Sequence, residues 1–531
     1  MDFRYAISLT LEAHLPFVRE LNGGNELILA GEESRFYETV SQTFMPLLEV
    51  LERLDNDHIQ FRLGLSISPI LMYMLSDEHL IEKYLLYTDK QIEFGRQELE
   101  RTAGDKASGG VNKLALYFYN RIVNRRIAFT EKYEKNILKA LDFYRQKGKL
   151  EILASCATNA FLPFISNNQE SLQAQIEIPV SGYRRHFNSS PQGFWMPGLG
   201  WSSAVEPFLH SYNYSYTIVD THGLLFGSPM PGKGCFYPVR TPNGTYILGR
   251  DFYAVRGIKH ISKDEIFLDN DRDAGYELPP ALVKEFLSAE GERHQTGYKY
   301  WTHSGVNAVY NPQEAMLKTE GYAKKFLDNT VARLKEASKR MKETPICLYA
   351  NNADYFGRFW HEGTQFIENL FRMADEYKDL QFLCPGEYIY KQEMSAMQVI
   401  TPGFSSMEFN GYAETWLDDS NDWIYRHLAR SMERMTELAE RFPDDTGLKE
   451  RALNQAAREI LLAQSGDWPA LLYKQDSTEF ARTQAENSLR NFTTIYEALG
   501  SNYISTEWLT NLERRHNIFP NINYRVFRRK K

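Results

Sequence analysis

Apolar positions along the chain change period in a recurring order. Tyr5–Leu11 (YAISLTL), Phe61–Ile67 (FRLGLSI) and Leu150–Ala157 (LEILASCA) are short apolar runs stopped by polar or proline-containing turns, and they read as strands. Between the first two, Phe36, Val40, Phe44, Leu47, Leu48 and Leu51 recur at helical spacing over Phe36–Leu54. Strand, crossover helix and strand predict a parallel sheet and an α/β fold. Leu85–Glu100 and Leu114–Tyr144 are long amphipathic stretches separated by the loop Thr102–Gly110. They exceed one crossover and predict a helical hairpin inserted over about residues 70–148. Further strands are expected in Pro191–Trp201 (PQGFWMPGLGW) and at Tyr216–Asp220, Tyr246–Arg250 and Ile346–Ala350, with a long helix over Ala315–Met341. Gly and Pro crowd Phe226–Lys233, which reads as a mobile loop in a loop-rich segment over about 224–300. After about Ser395 the strands fade, and Asp422–Phe442, Leu448–Ala463 and Thr478–Leu499 are strongly helical. The expected division is a barrel domain over 1–400 and a helical domain over 401–531. Polar groups gather just past the strand ends, where an α/β barrel carries its chemistry.

Composition narrows the partners. The chain has 531 residues and a net charge of −8, so no broad basic face is implied and nucleic acid is not an expected partner. The aromatic share is 14%, which suits a sugar-stacking surface and a large aromatic core equally. Cys156, Cys235, Cys347 and Cys384 are scattered, with no CxxC pair, which argues against a zinc site or a disulfide framework and for a reducing compartment. No apolar run reaches membrane-spanning length, and Asp2 and Glu12 do not suit a signal peptide. A cytoplasmic protein with no cofactor is expected. Asp220 and His222 resemble a metal pair but have no third ligand at suitable spacing, so no metal is expected.

The motifs make the barrel more specific. In order they are His14-Leu-Pro16, Leu63–Pro69 (LGLSISP), Ala157–Pro163 (ATNAFLP), Gly193-Phe-Trp195-Met-Pro197, Val219–Gly223 (VDTHG), Gly249-Arg250-Asp251, Ala353–Trp360 (ADYFGRFW), Asn421–Arg426 and Gln464–Pro469 (QSGDWP). Their joint order resembles glycoside hydrolase family 57, in its α-1,4-glucan branching and α-amylase-like branch. The resemblance implies a distorted (β/α)7 TIM-like barrel with an inserted helical subdomain and a C-terminal helical domain. It also implies a retaining mechanism, in which two carboxylates about 5–5.5 Å apart serve as nucleophile and acid/base.

At both of those positions the chain departs from the family. The nucleophile position is Gly198 and the acid/base position is Asn352. An amide cannot donate and recover a proton at neutral pH. A histidine of the third-strand motif is Asn159, the histidine after the late glycine is Arg358, and a Ser-Ser-Trp segment is Ser405-Ser406-Met407. Asp354 shares a strand face with Asn352 and is the candidate substitute acid. Glu206 is the candidate if the strand-four register is displaced. The residual shell offered for substrate binding is His14, Asn159, Trp195, Asp220, His222, Arg250, Asp251, Arg358, Trp360, Trp416, Asp467 and Trp468. Arg358 in the cleft also suggests an anionic or phosphorylated sugar. For the tryptophans, core packing and a sugar platform both stand as readings.

Three functions are therefore expected. One is a catalytically degenerate homologue that binds α-glucan or a related carbohydrate, beside active polysaccharide enzymes. Another is an active 1,4-α-glucan branching enzyme or amylase-like hydrolase that uses displaced residues. The third is altered chemistry on a different sugar in the old cleft.

Overall fold

The structure, a computed structural model, describes residues 3–19, 31–104, 110–288, 291–305, 307–408 and 410–529. Its strands, in chain order, are β1 (Tyr5–Ala13), β2 (Leu63–Ile67), β3 (Leu150–Leu153), β4 (Gly193–Phe194), β5 (Tyr216–Val219), β6 (Val239–Arg240), β7 (Tyr246–Gly249), β8 (Ile346–Asn352) and β9 (Leu380–Phe382). β1 is the hub. It pairs in parallel with β2 through Thr10–Ala13, with β8 through Ala6–Glu12 and with β9 through Tyr5–Ile7. Every residue of β1 and β2 is buried, as continuous apolar strands covered on both faces require.

β3 continues that sheet beyond β2, while β4, β5, β7 and β6 form a second one. Hydrogen bonds stitch the two together. Ala154 N donates to Gly193 O at 2.9 Å, Trp195 N to Ala154 O at 2.7 Å, and Asp251 N to Leu348 O at 2.7 Å. The seven parallel strands β1, β2, β3, β4, β5, β7 and β8 thus follow one another around a distorted ring, joined at two seams by isolated hydrogen bonds. Short β6 pairs antiparallel with β7.

Most elements fall where their periodicity puts them, with informative shifts at the ends. β1 runs two residues beyond its apolar run, so Glu12 lies in the ladder opposite Asn352. The first crossover helix is interrupted: Gly31–Thr39 and Met45–Asn56 are joined by a π-helical turn, Val40–Phe44. The expected stretch Leu114–Tyr144 divides as well. Val111–Ile127 ends in a π-helical turn, and left-handed Glu134 and Lys135 (φ 50° and 60°) precede the Ile137–Gln146 helix. In the inserted hairpin, Glu78–Ala103 packs on Val111–Ile127. Of its connecting loop, residues 105–109 lie outside the described set. Phe226–Lys233 is a loop, pinned where Ser228 and Thr401 exchange backbone hydrogen bonds at 2.9 and 3.0 Å. The C-terminal helices Asp422–Arg441, Leu448–Ala463 and Thr478–Gly500 pack together, with the short Asp467–Lys474 between the last two. Among the described residues no helix is long and apolar enough to cross a membrane.

Candidate functional site

The segments just past β1 and β3 meet the start of the Asp467–Lys474 helix. At the centre is a charged knot. His14, just past β1, donates from Nε2 to Asp467 Oδ1 and Oδ2 at 2.8 and 3.0 Å, and its Nδ1 lies 2.8 Å from Ser68 Oγ. Asn159 Nδ2 donates to Asp467 Oδ1 at 3.2 Å, and Ser465 Oγ donates to Oδ2 at 2.6 Å. The side chains of His14 and Asp467 are only 8% and 11% exposed, so the pair is shielded from water. Burial alone would favour neutral forms of both. The partners override it: Asp467 raises the His14 pKa, and His14 with its hydrogen bond lowers that of Asp467. Both shifts favour the charged forms, so the knot is held as a hydrogen-bonded imidazole–carboxylate pair. Asn159 reaches it from a left-handed backbone position (φ 53°), which asparagine tolerates better than most residues.

Beside the knot lies Glu12, which sequence reasoning passed over as the end of a strand. Its signal was a lone acid closing an apolar run. Burial pushes its carboxyl up to about 7, helped by the charge of Asp467 and opposed by His14 and the neighbouring Trp195 indole. That indole N–H faces Glu12 but makes no hydrogen bond of full geometry. Near neutral pH, Glu12 is therefore half protonated.

At Gly198 the chain is shaped against a carboxylate. Its φ is +62°, in the left-handed region, and a Cβ built there would fall inside van der Waals contact with the Trp416 ring. Trp416 is held in place by stacking on Phe161, with centroids 4.5 Å apart and planes 14° apart. Gly198 O also accepts from Met407 N at 2.7 Å, so the Ser405-Ser406-Met407 segment closes over the same spot. At the end of β8, Asn352 Oδ1 accepts from Asp354 N at 2.7 Å and so caps the turn.

Asp354 is committed elsewhere. Its oxygens accept from Thr39 Oγ1 at 2.9 Å and Thr43 Oγ1 at 2.8 Å, and Arg358 Nη1 lies at 3.4 Å. Arg358 also donates from Nε to Glu38 at 3.0 Å, so its charge is met by two protein carboxylates and is not offered to an anion. Gly357 between them (φ 139°) sits so close to Gln42 O that any side chain would collide with it. The other displaced candidate, Glu206, is buried and bonded to Thr241 and Asn243, where it fixes a turn.

The remaining expected shell separates from this centre. Asp220 caps a short helix through Thr221 N at 2.6 Å and pairs with Arg250. His222 Nε2 donates to Gly411 O at 2.7 Å. Asp251 caps the Phe252–Ile261 helix through Ala254 N at 2.8 Å and pairs with Arg333. Trp195, Trp360, Trp416 and Trp468 are all buried. Trp360 packs among Phe267, Phe356 and Phe366, and Trp468 Nε1 donates to Leu462 O at 2.7 Å. As a set these indoles are walls and core, not an open platform. Other aromatics are exposed, among them Phe226, Phe252, Tyr253, Phe359, Phe404 and Tyr412. Tyr412 rests edge-on against His222, with centroids 5.1 Å apart. Phe252 and Tyr253 open the Phe252–Ile261 helix, and the other four stand on loops, where periodicity cannot single them out. Among the described residues no group of three or more His, Cys, Asp or Glu is placed to hold a metal.

Known proteins share this architecture. Residues 427–527 match the family described as 1,4-alpha-glucan branching enzyme, C-terminal. The α-amylase AmyC from Thermotoga maritima superposes with a TM-score of 0.91 at 31% identity, covering 100% of both chains. A GH57-type branching enzyme from Pyrococcus horikoshii gives a TM-score of 0.88 at 20% identity, covering 99% of this chain and 97% of that one. The 1,4-alpha-glucan branching enzyme TK1436 of Thermococcus kodakarensis is 23% identical, over 97% of this chain and 77% of its own length. Residues 8–401, carrying the barrel strands and the charged knot's His14 and Asn159, match glycosyl hydrolase family 57, and to that family the chain belongs.

Proposed function

We propose that this chain binds α-glucan or a related carbohydrate and does not cleave it through the family's two-carboxylate route. The observation that carries the reading is the Gly198–Trp416 contact. A retaining mechanism needs a carboxylate at the nucleophile position, and there the backbone is left-handed and an indole fills the space. Asn352 supports the same reading, since its amide caps a turn and has no proton to give. The substrate class comes from relatives named as branching enzymes and an α-amylase. Four free thiols suit a reducing compartment, so a cytoplasmic role beside active polysaccharide enzymes fits.

A second reading rests on Glu12. It is a half-protonated acid at the end of β1, level with Asn352 in the adjacent strand, and would serve an enzyme of displaced residues. One experiment separates the two. Pure protein is incubated with amylose and maltoheptaose, and reducing ends, branch points and binding heat are followed. Binding without turnover is expected. Turnover that disappears in Glu12→Gln would overturn the non-catalytic reading.

A further inference from the structure

Away from the knot, positive charge gathers around a second, partly open space. It lies where the inserted helices Glu78–Ala103 and Val111–Ile127 meet the π-helical turn Val40–Phe44, residues 297–299 and His361. The cavity measures about 50 Å³ and is lined by Arg121, Arg125, Lys299, His361, Gln42 and Gln91 together with apolar groups. One water takes roughly 10–15 Å³ on this scale, so the space suits a cluster of roughly three to five heavy atoms.

Its cations are incompletely matched. Arg125 grips Glu49 with two hydrogen bonds, of 2.8 and 3.1 Å. Lys299 is 3% exposed, and its Nζ donates to Asn270 Oδ1 at 3.1 Å, with Gln42 Oε1 at 3.5 Å. The acid that faces it, Asp273, is already held by Gly275 N, Thr296 N, Thr296 Oγ1 and Gly297 N. Arg121 donates to Tyr117 Oη at 2.9 Å and lies 5.2 Å above that ring. Among the described residues it has no carboxylate within 4.0 Å. The remaining nearby acid, Glu362, accepts from Leu268 N at 3.1 Å, and burial raises it to about 7. His361 stands in a cage of Phe118, Tyr310 and Tyr117, with centroids at 5.7, 6.0 and 6.5 Å. Burial and then the three cations hold it neutral, so one ring nitrogen is an N–H donor.

We propose that this cavity binds a tetrahedral oxyanion the size of inorganic phosphate or sulfate. A guanidinium fork, a buried ammonium and an imidazole N–H supply converging donors, and an anion would relieve the cost of holding the cations out of water. The volume leaves no room for a hexose ring. Gln42, which lines the cavity, is also the residue whose carbonyl abuts Gly357, so a bound anion would brace the turn that carries Asp354 and Arg358.

Calorimetric titration of the full chain with sodium sulfate or phosphate, at ionic strength held constant with sodium chloride, tests this. One saturable site is expected, and Arg121→Gln should weaken it by at least about tenfold. Arg96→Gln, an exposed arginine on the neighbouring helix, should leave it unchanged. Heat that does not saturate, or equal affinity in Arg121→Gln, would overturn the proposal. If Arg121→Gln does not fold, a selenate soak decides. An anomalous peak between Arg121, Lys299 and His361 supports the site, and its absence there rejects it.

Discussion

The two sides of the cleft have taken opposite courses. At the ends of β4 and β8 the positions that would carry the reaction are a left-handed glycine under an indole and an amide that caps a turn. At the end of β1 His14 and Asp467 stay paired behind a protein wall, with Glu12, whose pKa burial raises to about 7, beside them. Burying such a charged group is unfavourable unless every partner remains. The difference teaches that the residues at two strand ends can be replaced while the electrostatic floor beside them, which also joins the barrel to the C-terminal helices, stays in place.

The largest expected effect comes from breaking that floor. His14→Ala leaves Asp467 buried without its cation and should destabilise the chain by about 3–5 kcal/mol in urea unfolding at pH 6. The pH dependence has a definite sign. The folded-state pKa of His14 is raised, so its contribution is complete below the ordinary histidine value of 6.5 and fades as pH rises through the raised value. Asp467 is lowered, so its contribution is present above 3.8 and fades as pH falls through the lowered value. A His14→Ala deficit that grew with rising pH would break the ion-pair assignment.

Gly198→Glu attacks the other side. Adding a side chain at positive φ against Trp416 should cost about 2–4 kcal/mol, and Trp416→Gly in the same chain should recover part of it. Unchanged stability in Gly198→Glu would mean that the indole does not guard the position. A comparable effect of opposite sign is expected at Glu12. Its folded pKa is about 7 against an ordinary 4.5, so the native state loses stability as pH rises between those values. Glu12→Gln should therefore be neutral at pH 4 and stabilising by about 3 kcal/mol at pH 8. Asn352→Asp should have the smallest effect. A carboxylate accepts from Asp354 N as the amide does, so stability should move by less than about 0.5 kcal/mol. Amylose should still release no new reducing ends, and measurable turnover in this variant would show that the cleft needs only one restored acid.

The barrel was legible because apolar runs and helical spacings are long-range patterns that packing does not rewrite. β1, β2, β8 and the C-terminal helices lie close to where their residues put them. β6 and β9 are two and three residues long and carry no periodic signal. The π-helical turns were invisible for another reason: one extra residue per turn leaves the spacing of Phe36, Val40 and Phe44 almost unchanged. At the site, motif order pointed to Gly198, Asn352, His14 and Asp467, and of these His14 and Asp467 are in direct contact. It could not reveal that Thr39 and Thr43 occupy Asp354, or that Glu38 pairs with Arg358, because those partners lie over 300 residues away along the chain. Glu12 escaped because a strand-ending acid has no spacing signature, and its raised pKa comes from burial first and then from acids distant in the chain, Asp467 and Glu408.

The position of β1 sets the timetable of folding. Residues 5–13 leave the ribosome well before their partners β8 and β9, which end at residues 352 and 382. At about 5–20 residues per second the nascent chain spends roughly 20–70 s with one edge of its hub strand unclaimed. Meanwhile β2 and the inserted helices can shelter part of it. The sheet closes only when β8 and β9 arrive, so truncations before residue 382 should aggregate during synthesis, not accumulate as partial barrels.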